Sequence, residues 1–474
     1  MRVLFTVWPN PSHLYPVVPL AWALRSAGHD VRIAAHPEIS ESIAAAGLTA
    51  VPLGDPDDMP VPLGPGRAYT AERARVAAVT EELRLDAADR ELWDTFSQFM
   101  LPAMWDFHPL GASPDEPRPA MDALVAFARD WRPDLVLWDP CFPGAAVAAR
   151  VCGAAQARLI TAPDWWGWSV DRLAERAATA AAPQGSAAAP QTSADDPLTQ
   201  TLGPVAARYG QRLDDELIRG QWTVSTLPEA MSIPVSTPTV RVRWVPFSGQ
   251  TVMPDWLYPL PDRPRVGLSL GLSWRTYLEG GWDHVPALLD AVSTLDVEVV
   301  ATLNAKQLAA VPRLPDNVRA VDYLPLDQLV PTCAALIHHG GLATYSAAAA
   351  HDVPQLITDT PEADVHAVEA DDGMGATKHA ASPVSVRHVL DHGAGLVLDI
   401  GSPSADAMRA RISRVLTEPS FREGAARLRA EHQAMPSPTT PSPSWRSSPP
   451  STAPDPRTAV TAITAVTASI ALPR

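Results

Sequence analysis

Two histidine-bearing segments carry the residue types that chemistry needs. His13 lies in Ser12-His13-Leu14-Tyr15-Pro16, between a short apolar run and a helical pattern. Histidine titrates near neutral pH, so an imidazole here can take a proton from an attacking hydroxyl. The same position also suits a helix cap or a surface histidine. A base histidine needs an acceptor to orient its other ring nitrogen. Asp139, in Trp138-Asp139-Pro140, ends a strand at the same sheet edge and fits that part, or serves only as a turn aspartate before proline. The second segment is Ile337-His338-His339-Gly340-Gly341-Leu342-Ala343-Thr344. Its glycines let the backbone approach a phosphate, and the helix that follows offers free N–H groups and a favourable dipole. A histidine and the Thr344 hydroxyl add side-chain donors, which favours a diphosphate site over a plain strand-to-helix turn. Gly271 and Ser273 follow another strand and form a weaker phosphate-facing candidate. Trp165, Trp166 and Trp168 either hold a flat apolar ligand or pack a core.

The elements that must position these residues follow an alternating pattern. Val3–Val7 is a continuous apolar run, as in a buried parallel strand. Helical spacing from Pro16 to Ala27 ends at Gly28, and Asp30–Ala35 is the next strand. Further strands are expected at Asp134–Asp139 and Ala157–Thr161, with helices at about 119–130 and 143–151. A second α/β half begins at Arg265, with strands at Val266–Leu270, Val297–Thr302, Val318–Val321 and Ala334–His338. Its helices are expected at about 283–293, 305–310, 325–330 and 343–351. Residues 173–196, rich in Ala, Pro, Gln and Ser, read as a mobile loop, as does a polar stretch at about 54–70. The resulting division is an N-terminal Rossmann-like domain at 1–224, a Pro-rich linker at 225–263, a C-terminal Rossmann-like domain at 264–435 and a low-complexity tail at 436–474. The fold class is α/β: two doubly wound domains facing a central cleft, with ligands outside the carboxyl ends of the strands.

The bulk composition excludes several function classes. The 474 residues carry a formal charge of −16, which repels nucleic acid and anionic lipid. No apolar run reaches the roughly 18 residues of a membrane span, and the start lacks a signal-peptide core. Cys141, Cys152 and Cys333 are scattered, which points to a reducing cytoplasm without structural zinc.

Several motifs together resemble a known family. Ser12-His13-Leu14-Tyr15-Pro16-Val17-Val18-Pro19-Leu20-Ala21, Gly220-Gln221-Trp222-Thr223, Pro254-Asp255-Trp256-Leu257 and Val318-Arg319-Ala320-Val321-Asp322-Tyr323-Leu324-Pro325-Leu326 resemble the actinomycete antibiotic glycosyltransferases that attach deoxysugars to macrolides and related polyketides. The resemblance covers roughly residues 1–358 and 392–435. It implies a GT-B fold and inverting, metal-independent transfer from a dTDP-deoxysugar to a polyketide-type aglycone, with no bound cofactor. It implies that His13 is the base, with Asp139 where relatives have an acidic partner. It implies that His339, with Gly340, Gly341 and Thr344, holds the diphosphate, and that Tyr323 and Leu324 pack the nucleobase. Some members use a cytochrome-P450-like helper protein that docks on the N-terminal domain, and a homodimer is a further expectation. The competing readings are a nucleotide-sugar epimerase on the same fold and a non-catalytic or decayed relative.

The chain also departs from the family pattern. Ala343 stands where relatives have Gly-Thr or Gly-Ser after the double glycine, and Asp352 replaces a glycine before Val353-Pro354. Residues 358–386 are longer than the short loop whose acidic residue contacts the donor sugar; Glu362 and Asp364 are the candidates to replace that contact. His366, His379, His388 and His392 lie in or near this insert, with Asp371 and Asp372, but their spacing matches no standard zinc pattern. The Pro- and Ser-rich stretch after Pro436 cannot hold the helix that closes relatives. High-GC codons for Thr439–Ser448, read two bases later, encode an amphipathic Asp-Ala-Val-Ala-Val-Leu-Glu-Glu-Leu, which suggests a frameshift.

Overall fold

The computed structural model describes residues 1–56, 69–181, 196–259, 261–272, 282–359 and 382–439. The expectations for Ser273, Glu362, Asp364, His366, Asp371, Asp372 and His379, and for the tail beyond 439, lie outside these residues.

The first sheet forms around β1 (Arg2–Thr6), whose Val3, Leu4 and Phe5 are sealed from solvent. A strand covered on both faces must be apolar on both, which is why this run does not alternate. β2 (Asp30–Ala35), β3 (Thr49–Pro52), β4 (Leu135–Trp138), β5 (Ala155–Ile160), β6 (Trp222–Ser225) and β7 (Thr239–Arg241) complete it in the order β3-β2-β1-β4-β5-β6-β7. All of its pairings are parallel. The second sheet contains β8 (Arg265–Ser269), β9 (Glu298–Thr302), β10 (Val318–Val321), β11 (Ala335–His338), β12 (Gln355–Asp359) and β13 (Gly395–Asp399). Its order is β10-β9-β8-β11-β12-β13, again all parallel. Its core is built on Val266, Leu268, Val299, Ala301, Ile337, Leu356 and Leu398.

The strand order reverses between β1 and β4 in one sheet and between β8 and β11 in the other. At such a reversal the two crossover helices leave on opposite faces and open a crevice at the carboxyl ends of the strands. His13 and Asp139 follow β1 and β4; Gly271 and His339 follow β8 and β11. The candidate residues therefore stand at the two switch points.

Three expectations about irregular segments need correction. The stretch at 225–263 is not all linker, because Ser225 ends β6 and Thr239–Arg241 form β7, so the first compact unit includes Met1–Leu227 and Ser232–Val242. Among the described residues β7 pairs only with β6, an edge place where neighbouring prolines are tolerated; the Pro238 carbonyl accepts from the Thr223 N–H at 2.8 Å. The mobile loop at 173–196 is helical through residue 181, since the Trp165–Ala181 helix runs into it. Leu, Ala, Glu and Arg from 173 to 178 are strong helix formers, and low complexity disguised them. Residues 305–310 form turns rather than a helix; Asn304 and Gln307 cap each other's backbone N–H at 3.1 and 3.0 Å.

Asp352 adopts the left-handed conformation its position demands, with φ of 57°, and its carboxylate pairs with Arg429. Asp352→Gly is expected to change stability by less than about 1 kcal/mol, because relief of the left-handed penalty offsets a half-exposed ion pair. Asp352→Val, with a β-branched side chain, is expected to lose about 1–2 kcal/mol in urea unfolding.

Candidate active site and nucleotide cradle

The first site starts from a capped turn. The Asn10 side chain accepts from the Ser12 N–H at 2.9 Å and from the Ser12 hydroxyl at 2.7 Å, and Pro11 pre-sets the first helical residue. That turn, Pro11–Leu14, presents His13 just beyond β1. Across the switch point the Asp139 N–H donates to the Thr6 carbonyl at 3.0 Å, extending the β1–β4 ladder by one residue. His13 Nδ1 then donates to Asp139 Oδ2 at 2.6 Å. Asp139 also accepts from the Trp8 N–H at 3.2 Å and the Cys141 N–H at 2.8 Å. Burial opposes its ionisation, but the His13 ring and these two amides outweigh burial and hold its pKa below the ordinary carboxylate value. The carboxylate is thus anionic and fixed, and it assigns the ring proton to Nδ1, leaving Nε2 as the acceptor. The Trp8 indole packs 5.1 Å from the His13 ring, and the His13 side chain stays 30 % exposed. Burial, then the Asp139 charge, pushes the neighbouring Cys141 thiol well up, so it stays protonated.

The second site divides its two histidines cleanly. His338 is fully buried at the end of β11; its Nε2 donates to Gln355 Oε1 at 2.9 Å, and its Nδ1 accepts from the Gly340 N–H at 3.1 Å. It organises the turn and offers no atom to a ligand. Burial, then the neighbouring His339, pushes its pKa down to about 3. His339, the next residue, is only partly covered. Burial pushes its pKa down to about 4, opposed by a backbone hydrogen bond at Ser269, so it is neutral at physiological pH. Its ring lies against two glycines. A Cβ on Gly341 would stand 2.4 Å from His339 Nε2, and one on Gly271 would stand 2.5 Å from Cε1. Gly271 also has φ of 87° and Gly340 of 83°, which only glycine adopts without strain. The Leu342–Ala350 helix begins at Gly341, and buried Thr344 lies in its first turn. Ala343 is exposed, so its departure from the family pattern disturbs nothing buried.

Tyr323 and Leu324 follow β10. Tyr323 is 38 % exposed, and its hydroxyl donates to the Ser248 carbonyl. Leu324, expected to pack a nucleobase, is instead sealed in a small cluster with Leu257, Val300 and Leu329, so its side chain supports the surface from behind. The tryptophans also need correction as acceptor ligands. Trp166 is fully buried, donates to the Ile218 carbonyl at 2.8 Å and packs edge-on against Phe96 and Trp138. Trp165 and Trp168 are buried as well.

Sequence reasoning missed Trp8, Gln355 and the pairing of Trp256 with Arg319, whose guanidinium sits 4.7 Å from the indole centre. Gln355 leaves a trace, a polar residue opening the apolar run Leu356-Ile357; the other two leave none.

Two parallel-sheet α/β domains, each with its polar cluster at a switch point, define a GT-B glycosyltransferase. The chain belongs to the erythromycin biosynthesis protein CIII-like family, matching the family's N-terminal domain over residues 22–271 and its C-terminal domain over 286–443. Among its relatives, aklavinone 7-beta-L-rhodosaminyltransferase of Streptomyces galilaeus is 42 % identical over 92 % of this chain and 93 % of its own. Aclacinomycin-T 2-deoxy-L-fucose transferase of the same organism is 39 % identical, covering 92 % and 94 %. The solved structure of glycosyltransferase VinC in complex with dTDP superposes with a TM-score of 0.71 at 34 % identity, covering 92 % of this chain and 96 % of that one. The protein is a glycosyltransferase akin to antibiotic deoxysugar transferases. No helix among the described residues is long and apolar enough to cross a membrane.

The buried neutral histidines set an acid limit. His108 and His338, each pushed to about 3, and His432, pushed to about 4, titrate near 6.5 once unfolded. The folded chain then binds fewer protons than the unfolded one, so stability falls as pH drops from about 6.5 towards 4. Each histidine contributes up to about 1.4 kcal/mol per pH unit in that window. Urea midpoints at pH 7 and pH 5 check this: a clear decrease at pH 5 is expected, and an unchanged midpoint contradicts it.

Proposed function

We propose that the protein transfers a deoxysugar from a dTDP-deoxysugar to a hydroxyl of a polyketide-type aglycone, inverting the anomeric centre without a metal ion. The observation that carries this reading is the 2.6 Å hydrogen bond from His13 Nδ1 to Asp139, which leaves Nε2 as a lone-pair base at a switch point. The acceptor hydroxyl loses its proton to His13 Nε2 as its oxygen attacks the anomeric carbon. The bond from that carbon to the diphosphate breaks, and the leaving group takes the electron pair. Asp139 steadies the imidazolium that forms. On the donor side, charge grows on the diphosphate. His339 and the free N–H groups at the start of the Leu342–Ala350 helix stabilise it, a role suited to fixed donors in a dry site. Three of the relatives are named for polyketide aglycones, aklavinone, erythronolide and tylactone, which supports the acceptor class. VinC's dTDP supports the nucleotide.

Two sets of variants separate the half-reactions. His13→Ala is expected to lower kcat by about 10²–10⁴ while leaving dTDP affinity unchanged. Gly341→Ala is expected to displace His339 and weaken dTDP binding by about tenfold or more. Turnover on aglycone panels, with calorimetry of dTDP binding, reads both. Equal turnover by His13→Ala and the wild type refutes the base assignment. Turnover that EDTA abolishes and that magnesium or manganese, rather than zinc, restores refutes metal independence.

A further inference from the structure

The second domain carries a cluster of metal-ligating groups that neither site uses. His388 lies on the Ser382–Asp391 helix, and His392 follows one turn later, so the two rings share a face with centres 4.5 Å apart. Glu431 reaches that face from the Pro419–Ala434 helix. Its Oε2 stands 2.8 Å from His388 Nε2 and 3.3 Å from His392 Nε2. The potential ligand atoms all lie within 4.8 Å of one another.

Tautomer logic sharpens the arrangement. His392 Nδ1 lies 2.9 Å from the His388 carbonyl, which can only accept, so Nδ1 bears the proton. In the neutral ring, Nε2 is then a lone pair aimed at a carboxylate. A proton or a metal ion must then lie between Nε2 and the carboxylate, and the second imidazole nitrogen, His388 Nε2, 2.8 Å from the same oxygen, gives a metal ion a third ligand there. A histidine fixed through its far nitrogen by a backbone carbonyl is also how metal-binding histidines are oriented. Ligand atoms on a tetrahedral zinc stand about 3.3 Å apart, given zinc–nitrogen and zinc–oxygen bonds near 2.0–2.2 Å. The His392–Glu431 spacing already meets this; the His388–Glu431 pair must open slightly.

We propose that His388, His392 and Glu431 form a site for a zinc-type divalent transition-metal ion, with water as the fourth ligand. On binding, the His388 Nε2–H bond breaks, the proton leaves to solvent and a nitrogen–metal bond replaces it. The ion ties together two helices, one of which supports the nucleotide cradle: the Ser385 hydroxyl donates to the Gly340 carbonyl at 2.7 Å. None of the three ligands is a residue assigned to transfer, so the site and the metal-free reaction stand or fall separately.

The test uses the full chain, stripped with chelator, dialysed against zinc and measured for bound metal, with cobalt(II) as a visible-absorbance probe. One zinc per chain and a tetrahedral cobalt spectrum are expected for the wild type and for Cys152→Ser. His392→Ala removes the most accessible of the two rings, with a side chain 24 % exposed, and is expected to fold normally, to bind at least about tenfold more weakly and to lose the cobalt spectrum. Glu431→Gln is expected to behave likewise; if it fails to fold, His392→Ala decides. No bound zinc in the wild type, or equal binding by His392→Ala, overturns the proposal, the second outcome meaning that a proton on His392 fills the gap instead.

Discussion

Hydrogen bonding between β1 and β4 is the constraint on which the His13–Asp139 pair depends. Neighbouring parallel strands lie about 4.8 Å apart, so residues leaving their ends can touch through short side chains. The Asp139 N–H to Thr6 carbonyl bond carries the ladder past the last paired residues and brings the carboxylate under His13. The same geometry in the second sheet lets Gly271, after β8, face His339, after β11. Any strand inserted at either switch point would separate these partners by another strand spacing and end the contact.

One residue type performs two tasks because its surroundings differ. His13 keeps part of its ring in solvent and leans through Nδ1 on a buried carboxylate, which leaves its Nε2 lone pair as the acceptor. His339 is pushed to about 4 by burial, so its ring is neutral at physiological pH. Different partners for like groups mark the division of chemical labour. His338 goes further along the same axis; it is wholly buried and bonded on both nitrogens, and serves only the turn.

Much of this was legible in the sequence, and the illegible parts share a cause. β1, β2 and the second-half strands declared themselves through continuous apolar runs, and the His-Gly-Gly segment through glycines at a strand-to-helix junction. Asp352 was legible too, as a residue standing where relatives have glycine. What failed depended on long-range partners or local context. Trp166 carries an aromatic face that suits a ligand or a core equally, and only Phe96 and Trp138 decide it. The contact between Gly271 and His339 joins residues 68 positions apart on neighbouring strands, which no local spacing encodes. β7 was hidden by prolines that an edge strand accepts, and His388 and His392 lacked their Glu431 until the two helices were placed together.

The account rests on the protonation of one ring. Nitrogen-15 NMR of the selectively histidine-labelled protein reads it directly. His13 in its neutral form is expected to carry its proton on Nδ1, with Nε2 bare, and Asp139→Asn is expected to disturb this signal while leaving that of His338 unchanged. A proton on Nε2 of neutral His13, or a tautomer indifferent to Asp139, would contradict it.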